Sequence, residues 1–194
     1  MVQAAAALIK VLEAAESVQQ FCRERKWRFC FIGGIALQRW GEPRLTPDVD
    51  LTLLTGFGGE EKFIADLLRH FRPRMRMAAA FALEHRVLLV RTRGGVDVDI
   101  ALGGLPYEES VVDRGTPFAF RPRIKLVTCS AEDLVVLKAF ADRPQDWVDV
   151  ENVLARQGAR LDWTYVVSRL TPLVELKETP GIIERLKQLH LRSS

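Results

Sequence analysis

The sequence predicts an α/β (α+β) fold in which a mixed β-sheet is flanked by helices and followed by a C-terminal helical segment. Two strand-period runs, Asp48–Leu53 and Val96–Ile100, place apolar residues at alternate positions, and helix-period runs lie before and between them. Beyond Ser130 the patterned stretches have the helical period alone. The division that follows is an α/β domain over residues 1–128 and a helical subdomain over 129–194.

Taken in order, Ala5, Leu8, Val11, Leu12, Ala15, Val18 and Phe21 recur at helical spacing with charges and glutamines between them, which predicts an amphipathic helix over Val2–Arg25. Phe29–Ile32 is an apolar run ended by Gly33-Gly34, and Ile35–Trp40 reads as a helix closed by Gly41, giving strand, glycine turn, helix. Pro43–Pro47 is a loop. In the strand after it Val49, Leu51 and Leu53 alternate with Asp48, Asp50 and Thr52, so the aspartates share a face. A turn at Gly56–Gly59 leads to a helix over Glu60–Phe71 with Phe63, Ile64, Leu67 and Leu68 inward, ended by Pro73. Arg86–Arg91 and Val96–Ile100 flank Gly94-Gly95 as a β-hairpin, with Asp97 and Asp99 on one face. Tyr107–Val112 predicts a short helix, and Pro117–Val127 one or two edge strands around Pro122. Ser130 is an N-cap ahead of an acidic first turn, Glu132-Asp133, on a helix that carries Leu134, Val135, Leu137, Lys138 and Phe140. Pro144 interrupts, and helical patterns resume at roughly 146–156, 163–170 and 182–190.

With 194 residues the chain is long enough for a real core in one domain with a small appendage, and a net charge of +3 does not by itself imply a nucleic-acid partner. Three widely spaced cysteines, Cys22, Cys30 and Cys129, form no Cys-x-x-Cys pair, which argues against a disulfide framework or zinc site and for a reducing, cytoplasmic setting. The apolar run Ala4–Leu12 is short, broken by Lys10 and continued by Glu13 and Glu16, so it reads as helix and not as a signal peptide. No apolar stretch approaches the ~20 residues a membrane span requires, so no membrane partner is expected.

The candidate chemistry lies in the glycines and the aspartates. Transfer of a phosphoryl or nucleotidyl group needs charge neutralisation and in-line placement more than covalent help. Two magnesium ions about 3.5–4 Å apart supply this in many enzymes and are held by carboxylate oxygens. Asp48 and Asp50 with a third carboxylate from another strand make such a set; Asp97 and Asp99 face the same way, and the strand period does not choose between them. Gly33-Gly34 at a helix start offers bare amides and a positive helix end to a polyphosphate, although an isolated Gly-Gly is most often just a tight turn. Aspartate is depleted in strands, so two pairs in separate strands favour metal binding over a solvated strand face.

Gly33-Gly34, Asp48-Val49-Asp50 and Val98-Asp99-Ile100 together resemble the pattern of the polymerase-β-like nucleotidyltransferase superfamily. Within it the chain is most similar to the AbiEii-type, toxin- and antitoxin-associated group, through Arg44–Pro47, Ala131–Lys138, Arg143–Asp146 and Asp149, a likeness that spans about residues 28–155. The resemblance implies a nucleotidyltransferase fold and a metal-dependent enzyme, with two Mg2+ (or Mn2+) ions held by Asp48, Asp50 and Asp99, Asp97 being the alternative third ligand. It implies that Gly33 and Gly34 cradle the triphosphate and that Lys138 and Asp146 are the helical subdomain's share of the catalytic set, completing the active-site cleft. Lys138, with Arg44 and Thr46 in the preceding loop, is implied as nucleotide-binding. It also implies an NTP substrate, an acceptor hydroxyl on a tRNA, a protein or a small molecule, pyrophosphate as product, and an antitoxin partner.

Two alternatives share these residues: a non-catalytic nucleotide-binding or regulatory partner, and a kinase-like phosphotransferase. Blander readings stand beside the weaker candidates. Lys138 snorkels from an apolar helix or contacts phosphate; Asp146 and Asp149 cap a helix or join the site; Arg44 and Thr46 order their loop or bind phosphate. Arg69, His70, Arg72, Arg74 and Arg76, and a second run at Arg121, Arg123 and Lys125, read first as solvated faces. The histidines have no ligand spacing, and the four tryptophans read as packing residues.

Overall fold

A computed structural model describes residues 2–193, with side chains from Ala5 to Arg192. The described chain forms two compact units: residues up to Ile35 together with Leu45–Cys129, and Ala36–Arg44 together with the chain from Ser130 onward.

The first unit is built on seven strands, β1 (Phe29–Phe31), β2 (Asp48–Leu54), β3 (Arg72–Pro73), β4 (Val87–Arg91), β5 (Asp97–Gly103), β6 (Thr116–Arg121) and β7 (Ile124–Thr128). They lie in the order β3-β4-β5-β2-β1-β7-β6. The sheet is mixed: β2 runs parallel to β5 and β1 parallel to β7, while β1–β2, β3–β4, β4–β5 and β6–β7 are antiparallel. Alternation explains how it is covered. Val49, Leu51 and Leu53 of β2, Val98, Ile100 and Leu102 of β5 and Leu88 and Val90 of β4 are buried in one core. Against that face pack α1 (Val2–Glu24), through Val11, Leu12, Ala15, Val18 and Phe21, α3 (Glu60–His70), through Phe63, Ile64 and Leu67, and α4 (Ala78–His85), through Ala78 and Ala82. The short α5 (Pro106–Asp113) begins with a proline in its first turn, and the backbone carbonyl of its Val111 accepts from Cys30 Sγ of β1 at 3.7 Å.

The second unit is helical: α2 (Gly33–Trp40) enters it after Ile35, and α6 (Ala131–Ala141), α7 (Pro144–Gln157), α8 (Trp163–Leu176) and α9 (Gly181–Ser193) complete it. Ser130 caps α6 by accepting from the Asp133 amide at 3.1 Å. Pro144 does not break a helix; it opens α7, where a missing amide costs nothing. The three cysteines are buried, and none is in a disulfide among the described residues. Among the described residues no helix is long and apolar enough to cross a membrane.

Four elements differ from expectation. Helix α4 and the two-residue β3 were not expected, because Ala78–His85 is alanine-rich with little amphipathic period and β3 is too short to show alternation. Strand β7 is interior, since it pairs with β1 on one side and β6 on the other, so of the two strands around Pro122 it is β6 that lies at an edge. Helix α2 starts at Gly33 itself, so the glycines form its first turn and do not precede it.

Candidate active site

Strand period fixes which way Asp48 and Asp50 point, and sheet register fixes what stands beside them. The parallel β2–β5 ladder aligns Asp48 with Asp97 and Asp50 with Asp99, while buried Val49, Leu51, Val98 and Ile100 take the opposite face. Four carboxylates thus meet on one face of two neighbouring strands, in the first unit.

Gly33 closes in on this set. Its φ is +54°, and a Cβ there would stand 2.7 Å from Asp50 Cγ, so both the backbone and the space require glycine. Gly34 lies as close to the preceding loop, since its Cβ would fall 2.5 Å from Thr46 Cβ. The helix start therefore lies directly against Asp50 and Thr46, its first amides beside the carboxylate face. Substitution at Gly33 separates the two requirements. Gly33→Ala is expected to cost about 2–4 kcal/mol, from left-handed backbone plus overpacking on Asp50. Gly95→Ala, also at positive φ but with nothing within 4 Å of its Cβ, should cost about 1–2 kcal/mol. Urea unfolding of both variants reads the difference; equal losses would mean that Gly33 is needed for its backbone alone.

Asp48, Asp97 and Asp99 are each held by a neighbour. Thr46 Oγ1 donates to Asp48 Oδ1 at 2.9 Å. Asp97 accepts from Arg91, whose hydrogen bond holds its carboxyl below the usual range, and Arg74 Nε lies 3.4 Å from Asp97 Oδ2. Asp99 is paired with the other end of the Arg74 guanidinium. Burial nevertheless pushes the Asp99 carboxyl upward, with Asp48 and Asp97 adding to the rise and Arg74 opposing it.

The donor set suits a hard divalent cation, being carboxylate oxygen throughout. As the side chains stand, no group of three or more His, Cys, Asp or Glu among the described residues is gathered closely enough to hold a metal ion. Asp97 and Asp99 are each paired with an arginine, Arg91 and Arg74. Asp48, Asp50 and Asp99 fit a metal by chemistry and by face, and Asp97 is the more fully committed to arginine of the two candidates for the third position.

The remaining expected residues form a cluster of their own in the second unit. Lys138 is buried in α6, its Nζ 2.7 Å from both Asp146 Oδ1 and Asp149 Oδ2 of α7. Arg44 grips Asp149 with two hydrogen bonds, Nε to Oδ1 at 2.9 Å and Nη2 to Oδ2 at 2.8 Å, and Arg143 Nε donates to Asp146 Oδ2 at 2.5 Å. Burial alone would raise both aspartates, but hydrogen bonds from Arg143 and Lys138 to Asp146, and from Arg44 and Lys138 to Asp149, bring them below the ordinary carboxylate range. Thus Thr46 supports Asp48, and Arg44, Lys138 and Asp146 are joined through Asp149. Arg74 and Arg91 were missed as parts of the carboxylate face, because only cross-strand register reveals their neighbours.

No curated protein matches the chain. Among solved structures, its fold is similar to an antigenic nucleotidyltransferase-like protein from Paracoccidioides brasiliensis, with a TM-score of 0.54 at 16% identity over 92% of each chain. It is also similar to the antibiotic-resistance factor ANT(2'')-Ia, with a TM-score of 0.55 at 14% identity over 91% of this chain and 96% of that one. The sequence profile described as "Nucleotidyl transferase AbiEii toxin, Type IV TA system" matches residues 23–171. That match spans the glycine turn, all four aspartates and the Lys138 cluster, and the chain belongs to the AbiEii nucleotidyl transferase family.

Proposed function

We propose that this protein transfers a nucleoside monophosphate from a nucleoside triphosphate to an acceptor hydroxyl, with release of pyrophosphate, in a reaction dependent on divalent metal. The observation that carries the reading is the contact of Gly33 with Asp50, which sets a helix start against the carboxylate face formed by Asp48, Asp50 and Asp99. The first amides of α2 receive triphosphate oxygens there, at a helix start that packs directly on Asp50 and Thr46. Thr46 fixes Asp48 through its hydroxyl. Asp48, Asp50 and Asp99 are the residues that hold Mg2+ or Mn2+; bound metal neutralises phosphate charge and lowers the pKa of the attacking hydroxyl.

In the step itself the acceptor oxygen bonds to the α-phosphorus while the bond from that phosphorus to the bridging oxygen breaks, pyrophosphate departs, and Asp99 takes the hydroxyl proton. In the second unit we propose that Lys138, with Asp146, Asp149 and Arg44, keeps α6 and α7 in one arrangement. The family's description supports a toxin role with an antitoxin partner. The acceptor is the part to identify. Incubation with α-labelled nucleoside triphosphates and a cell extract should move label into one macromolecular or small-molecule fraction in the wild type and not in Asp48→Asn; label in no fraction would contradict the proposal.

A further inference from the structure

We propose that Arg74 is a resident competitor for the metal site: its guanidinium pairs with Asp99 Oδ1, and this weakens the hold of that carboxylate on a divalent cation. This rests on reading Asp48, Asp50 and Asp99 as the cation site. Arg74 follows the short strand β3, and its backbone amide donates to Leu89 O of β4 at 3.1 Å, which anchors the side chain's root to the sheet. From there the guanidinium reaches both carboxylates of β5, pairing with Asp99 and lying 3.4 Å from Asp97. Asp97 has a second cation, Arg91; among the described residues Asp99 is paired with Arg74 alone. The pair is only partly open to solvent, with 27% and 35% of the two side chains exposed, so water screens it incompletely.

Two positive groups on one carboxylate repel each other even when each takes its own oxygen, and a guanidinium is never deprotonated out of the way. That repulsion, or the cost of moving Arg74 aside, is therefore subtracted from the free energy of metal binding. In the resting protein this keeps Asp99 paired with a cation; a triphosphate, with oxygens of its own for the guanidinium, offers Arg74 an alternative partner.

Direct titration of the nucleotide-free protein with Mn2+, following free Mn2+ by electron paramagnetic resonance, tests this without any turnover. Asp50→Asn should weaken the binding, which locates it. Arg74→Gln should bind Mn2+ about three- to tenfold more tightly than wild type, the range set by a half-screened ion pair. Arg74→Lys should stay near the wild-type value. Arg76→Gln removes the same charge two residues away from a side chain that makes no hydrogen bond or ion pair among the described residues, and should change affinity by less than about twofold. Asp50-dependent binding that Arg74→Gln leaves unchanged or weakens overturns the inference alone, as does an equal gain in Arg76→Gln. Absence of Asp50-dependent binding in every variant overturns the metal-site reading and the inference with it.

Discussion

Asp50→Asn should reduce the rate of nucleotidyl transfer by at least about a hundredfold while leaving the unfolding free energy within about 1 kcal/mol of wild type. Asn has the size and shape of Asp, so it still fits under Gly33, where a Cβ would fall 2.7 Å from the Asp50 Cγ. What it loses is the negative charge, and with it the affinity for a hard cation. The same change at Asp97, already held by Arg91, should be much milder. Turnover of α-labelled nucleotide, read beside urea denaturation, separates chemistry from folding. Full activity in Asp50→Asn would remove the carboxylate face from the reaction.

Lys138→Met is expected to act in the other direction, on stability first. It strips a buried ammonium from two carboxylates, each 2.7 Å away, and the cost is about 3 kcal/mol, at the lower end for a broken buried pair because Arg143 and Arg44 remain. The pH dependence has a definite sign. Asp146 and Asp149 are held below their ordinary range in the folded chain, so their contribution is fully present above the unfolded carboxylate pKa of about 3.9 and is lost as pH falls through the lower folded values. Wild-type stability should therefore hold near neutrality and drop steeply below about pH 4. The variant, whose carboxylates have lost a cation, should start lower and show a shallower acid slope. Parallel curves for the two proteins would place the ion network's contribution elsewhere.

Local periodicity carried much of the fold and only part of the candidate site. Alternation along Asp48–Leu53 and Val96–Ile100 was enough to place β2 and β5 and to put each aspartate pair on one face, because a strand's two faces are written in its own sequence. The adjacency of those strands was not, since the parallel register of Asp50 with Asp99 joins residues 49 positions apart, and no local pattern encodes it. Arg74 was read as part of a basic run for the same reason: its partner is on β5, 25 residues away. The Arg44–Asp149 pair is separated by 105 residues, so no local pattern showed that Arg44 is held by an aspartate of α7. Helix α4 was missed because three consecutive alanines blur the apolar stripe that marks a surface helix.

Nucleotidyl and phosphoryl transfer at the carboxylate face of the first unit differ in which phosphate reaches the acceptor. One nucleoside triphosphate, labelled in separate reactions at the α- and the γ-phosphate, is supplied with Mg2+ and the acceptor fraction, and label and released product are followed together. With nucleotidyl transfer, α-label enters the acceptor, γ-label leaves as pyrophosphate in equal amount, and both vanish in Asp50→Asn; γ-label in the acceptor with nucleoside diphosphate as product would overturn that reading.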